Sequence, residues 1–73
     1  MVHDDPDHNL IAQRIKDGRK MKRMTQEKLA EHTEVSVRFM SYIETGRKKA
    51  SLKSLCKIAR VLDIAPRFLI FGD

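Results

Sequence analysis

Cysteine is almost missing from this 73-residue chain, with Cys56 the only one. A lone cysteine excludes an intramolecular disulfide and a four-cysteine zinc site, and it suits a reducing compartment. Long apolar runs are missing too. None approaches the roughly 18 residues a membrane-spanning helix needs, and the first residues lack a signal-peptide pattern. A soluble, cytoplasmic protein with no membrane partner is expected. Glycine is scarce, three in all and nowhere clustered, so there is no glycine-rich phosphate loop. No nucleophile stands with a base on a credible scaffold, and so short a chain has no room for a substrate cavity of several hundred Å³. The expectation is a protein that is not an enzyme, with no cofactor, no metal and no small-molecule substrate.

Seventy-three residues make one domain with a small core, and no separate sensor domain is expected. Lys and Arg number 15 against 10 Asp and Glu, for a net charge of +5. The acid is unevenly placed. Asp4, Asp5 and Asp7 stand in the first nine residues, which hold no Lys or Arg, so residues 10–73 carry +8. A compact domain with that charge collects polyanions, of which nucleic acid is the commonest. Solubility alone is the bland reading of such a balance.

The residues 1–9, MVHDDPDHN, have no apolar period and read as a flexible acidic tail, ending on Asn9 as a helix cap. A metal site on His3, His8 and the three carboxylates is set aside, because ligands must be held in geometry. The helical domain then occupies residues 10–73. Leu10, Ile11, Ile15 and Met21 predict a first helix over 10–21, with Gly18 inside it. Thr25 caps a short second helix ending near His32, and Ser36 caps a third over 37–44 that Thr45-Gly46 stops. After the basic run Arg47-Lys48-Lys49, Ser51 caps a fourth helix whose Leu52, Leu55, Ile58, Ala59 and Leu62 mark one apolar face. Pro66 opens a fifth over 66–71. Nothing reads as a strand. The fold class is all-α, with five helices.

The stretch TQEKLAEHTEVSVRFMSYIE holds two short helices joined by a tight turn, which is the helix-turn-helix arrangement. Ala30 permits close crossing, while Val35, Met40 and Ile43 wedge the second helix against the first. This leaves Val37, Arg38, Ser41, Tyr42 and Thr45 facing outward. That face has no acid; it offers a guanidinium, hydroxyls, a phenol and methyl groups, which suit base edges and phosphates in a major groove.

Over residues 11–69 the sequence resembles the lambda-repressor/Cro-type (XRE-like) helix-turn-helix family, through RIKDGRKMKRMTQEKLAEHTEVS, SYIETGRK and SLKSLCKIARVLDI. The resemblance implies a compact five-helix DNA-binding domain of a transcriptional regulator, a small repressor or a restriction–modification controller. It implies that Gln26 touches phosphate and braces the recognition helix. Val37, Arg38 and Tyr42, with Ser36 and Ser41 beside them, would reach the duplex. Arg47, Lys48 and Lys49 would hold phosphates by side chains and backbone N–H groups. Arg19 and Glu44 would form a largely buried ion pair. The chain departs from the family in placing Arg23 and Glu34 where glycine is usual, which implies strain if either takes a positive φ. Gly18 stands where a core leucine is usual, leaving a gap for Met21 or Phe39 to fill.

Arg38 has Glu34 as an alternative partner to a guanine. Phe39 reads as packing rather than readout, Lys53, Lys57 and Arg60 as a solvated face, and Cys56 as a half-buried filler. At the C-terminus, Phe68, Leu69, Ile70 and Phe71 are consecutive apolar residues, about 100° apart around a helix. One core cannot cover that circle. With Leu69 inside, Phe68, Ile70 and Phe71 form the expected dimer patch of a homodimer on a near-palindromic site. The bland alternative folds the rings over the first helix. An antitoxin-like module that neutralises a protein partner is the runner-up function.

Overall fold

The structure, a computed structural model, describes residues 7–73, and they form α1 (His8–Met21), α2 (Gln26–Thr33), α3 (Val37–Glu44), α4 (Leu52–Leu62) and α5 (Pro66–Phe71). The tail's residues 1–6 lie outside the described residues. Its last part is not tail. Asp7, not Asn9, caps α1, accepting from the N–H groups of Asn9 at 2.9 Å and Leu10 at 3.3 Å, so the helix begins two residues earlier than its apolar pattern. A carboxylate at the positive end of a helix is a stronger acceptor than an amide oxygen. Thr25, Ser36 and Ser51 cap α2, α3 and α4 through their hydroxyls.

The first four helices close alike, with an N–H five residues beyond its carbonyl. These bonds run from Met24 to Arg19, Val35 to Ala30, Arg47 to Tyr42 and Ile64 to Ala59, at 2.9–3.0 Å. Such closure needs one left-handed residue. Only the third uses glycine, Gly46 at φ 76°; the others use Arg23, Glu34 and Asp63 at φ 55°, 62° and 60°. Each of those three carries a strain that glycine would not.

α1 packs on α3, α4 and α5, while α4 lies against α2 and α5. Ile15, Leu29, Met40, Ile58 and Leu69, one from each helix, are the largest fully buried side chains and meet at the centre. Burying each contributes about 1.5–3 kcal/mol. The gap beside Gly18 is not filled as expected. Met21 is 86% exposed, and Ile64 takes the space: a Cβ on Gly18 would lie 2.7 Å from its Cδ1. Met21 is the last residue of α1 and its side chain points to solvent, whereas the α4–α5 turn aims Ile64 at the missing side chain.

Candidate nucleic-acid interface

The position of α3 is set by a polar cluster at its end. Glu44 is buried, with its side chain 1% exposed. Arg19 of α1 donates to it twice, Nε to Oε2 at 2.7 Å and Nη2 to Oε1 at 3.1 Å. A third guanidinium nitrogen, Nη1, donates to the Met24 carbonyl at 2.8 Å. Gln26, the first residue of α2, donates Nε2 to Glu44 Oε1 at 3.1 Å. A planar guanidinium matches a carboxylate in this forked way, and the added amide gives Oε1 a second donor. Thus α1, α2 and α3 are tied at one point, at the C-terminal end of α3.

That face presents Val37, Arg38 and Thr45 exposed and Ser41 and Tyr42 half-buried. Thr45 turns its hydroxyl inward, donating to the Ser41 and Tyr42 carbonyls at 3.0 and 3.2 Å. Ser36 uses its oxygen to accept from Phe39 N–H. Phe39 is half-buried against the core, as packing requires. The ammonium of Lys48 sits over the Tyr42 ring, 5.8 Å from its centroid, which couples the basic loop to the helix. Ser36, Arg38, Phe39, Tyr42 and Lys48 line a shallow hollow of about 180 Å³.

Arg47, Lys48 and Lys49 are all exposed. The backbone N–H groups of Arg47 and Lys48, however, both donate to the Tyr42 carbonyl, at 2.9 and 3.3 Å. The loop's side chains, not these two amides, are therefore available to an anion. The same bonds make the loop an extension of α3.

Sequence reasoning missed two contacts. Glu34 pairs with Lys57 of α4, Nζ to Oε1 at 2.7 Å, so Lys57 is not merely solvated and Glu34 does not hold Arg38. The Lys57 hydrogen bond and charge, helped by Lys53, hold the Glu34 carboxyl below its ordinary value, against a small opposing effect of burial. Arg14 donates Nη1 to the Leu69 carbonyl at 3.1 Å and to Ile70's at 3.4 Å, closing α5 from α1. No local pattern signals either, because the partners are distant in sequence.

The C-terminal patch needs one correction. Ile70 is 6% exposed and belongs to the core, while Phe68 and Phe71 are 47% and 52% exposed. Leu69 and Ile70 are adjacent, so the core takes one side of α5 and leaves both rings outward. Phe68 also borders an apolar groove of about 500 Å³ with Gly18, Met21, Ile64 and Ala65. Among the described residues no cluster of potential metal ligands exists, and the tail's His3, Asp4 and Asp5 lie outside them. No described helix is long and apolar enough to cross a membrane.

Two crossed short helices, an acid-free exposed face and a basic loop continuous with it define a helix-turn-helix DNA-binding domain. The profile of the helix-turn-helix family matches residues 15–69, and the chain belongs to that family, of the lambda-repressor/Cro (XRE-like) type. Among solved structures, the restriction–modification controller C.AhdI from Aeromonas hydrophila is 33% identical, with TM-score 0.82, covering 88% of this chain and 97% of that one. The N-terminal DNA-binding domain of SinR from Bacillus subtilis is 36% identical at TM-score 0.79, over 85% of this chain and 91% of that one. The P22 c2 repressor, solved with a synthetic operator, is 26% identical at TM-score 0.82, over 88% and 97%. Among curated proteins nothing matches. The chain is a DNA-binding transcriptional regulator, of a family whose members here are not enzymes.

Proposed function

We propose that this chain is a small repressor or restriction–modification controller that binds a near-palindromic operator as a homodimer. The observation that carries the reading is the acid-free face of α3, braced at its C-terminal end by Arg19, Gln26 and Glu44 and continued by Arg47, Lys48 and Lys49. Val37, Arg38, Ser41 and Tyr42 read base edges. Ser36 borders the backbone beside them. Gln26 and the basic loop hold phosphates, and the Lys48–Tyr42 contact keeps the loop in register with the reading helix. The likeness to C.AhdI over most of both chains favours the controller type.

Two recognition helices about 34 Å apart would match successive major-groove faces. The exposed rings of Phe68 and Phe71 support a two-fold contact, since an apolar patch on a small domain asks for a cover. The same rings could instead seat another protein, as an antitoxin-like module would use them. A solved SinR–SinI protein complex, one chain of which is 35% identical to this one over 84% of this chain and 60% of that one, gives that second reading its footing.

Selection of bound duplexes from random DNA tests the function. A two-fold site is expected, with affinity falling by about 0.9 log units per log of salt for each neutralised phosphate. No enriched site, or a slope near zero, would overturn the reading. Sedimentation of wild type and of Phe68→Glu/Phe71→Glu tests the dimer. A wild type that stays monomeric at high micromolar concentration, free and on DNA, would remove it, and unfolding of the double variant would assign the rings to the core.

A further inference from the structure

We propose that Lys57 of α4, which lies outside the DNA-facing residues, is a positioning residue that sets base-pair preference by keeping Glu34 off Arg38. The inference rests on the proposed reading of Arg38 as a base contact. Glu34 is the only acid between Glu31 and Glu44, and the closing turn of α2 fixes it at φ 62°. Its side chain is 77% exposed and stands just before the helix that carries Arg38. The two are four positions apart, so their Cα atoms are at most about 14 Å apart even on an extended chain. The intervening turn brings them closer.

A guanidinium takes a carboxylate through the same fork of N–H groups that takes guanine O6 and N7. Glu34 and a guanine are therefore competitors for Arg38. In the structure Glu34 is held by Lys57 instead, and Arg38 is left open. Lys57 Nζ meets Glu34 Oε1 at 2.7 Å, and among the described residues Arg38 has no ion pair or side-chain hydrogen bond. Lys57 is well placed to win. Its side chain is only 32% exposed, so its stem is already ordered along the protein surface and loses little freedom on pairing. Lys53, one turn earlier on α4, adds a second positive charge toward the same carboxylate. The Lys57 contact also favours the ionised form of Glu34, which agrees with this arrangement.

The arrangement predicts that removing Lys57 costs preference at one base pair, not affinity in general. The first measurement identifies that pair: the position of the selected site at which Arg38→Ala loses discrimination. Discrimination there is then compared in wild type, Lys57→Met, Glu34→Gln and the double variant Glu34→Gln/Lys57→Met, with thermal melts of each. Lys57→Met should lower it ~2- to 5-fold, the range of exposed ion pairs, with other positions unchanged. Glu34→Gln should resemble wild type, and the double variant should recover wild-type discrimination. A purely structural Lys57 would instead lower the melting temperature and leave the preference alone, which would overturn the proposal. So would failure of Glu34→Gln to rescue, or an Arg38→Ala that loses no preference. A wild type that selects no duplex sinks the regulator reading itself, and that outcome is seen before any variant is made.

Discussion

Replacing Arg19 by methionine keeps an apolar stem but removes the guanidinium and its charge. The change strands the Glu44 carboxylate, 1% exposed, with the Gln26 amide as its one remaining side-chain donor. It also takes a donor from the Met24 carbonyl. Breaking one side of a buried pair costs about 3–5 kcal/mol, because the cost is an uncompensated buried charge and not only the lost attraction. A lost hydrogen bond to a half-buried carbonyl adds about 1 kcal/mol. A chain of 73 residues has a total stability of about 4–11 kcal/mol, so Arg19→Met should leave the domain marginal. Urea unfolding followed by helical circular dichroism measures this directly. The double variant Arg19→Met/Glu44→Leu should recover part of the loss, because it removes the stranded charge as well. The reasoning fails if the single change costs less than about 1 kcal/mol, or if the double variant is no more stable than the single.

Arg38→Ala should relax preference at particular base pairs by about 1–3 kcal/mol, and Lys48→Ala should weaken all duplexes alike; competition binding against point-mutated sites separates the two. Gly18→Leu should destabilise by about 1–2 kcal/mol, because Ile64 already occupies the space, and adding Ile64→Ala should relieve it in a denaturation series. Arg23→Gly should stabilise by up to about 1 kcal/mol in the same assay, since glycine accepts φ 55° without strain but loses more chain entropy on folding. Glu34 titrates lower folded than unfolded, so its pairing stabilises the fold above the ordinary value of 4.5 and loses that effect as pH falls through the folded value. The stability gap between wild type and Glu34→Gln should therefore close on acidification; a gap independent of pH would show that the Lys57 pairing carries no stability.

The five helices were legible in the sequence because each carries its own start and stop. Thr25, Ser36 and Ser51 are caps, Pro66 is a first-turn proline, and the apolar spacing of α4 is that of a single buried face. The outward face of α3 was legible for the same local reason: Val37, Arg38, Ser41, Tyr42 and Thr45 recur at helical spacing opposite the buried Met40 and Ile43. Only the start of α1 was misjudged locally, where Asp7 outcompetes Asn9 as the acceptor. The rest required the tertiary structure, because it depends on residues that meet across the fold. Ile64 was chosen over Met21 to fill the space at Gly18, since the α4–α5 turn aims one inward while the end of α1 aims the other out. Ile70 went inside with Leu69 because the core reaches one side of α5 and no further. Arg14 found carbonyls 55 and 56 residues away, and Lys57 found Glu34 at a separation of 23. Helix periodicity and capping act within a few residues, so the sequence alone determined which segments are helical and which faces are polar. Long flexible side chains choose among partners that only packing brings within reach, so the tertiary structure alone decided which charge neutralises which, and which guanidinium stays open.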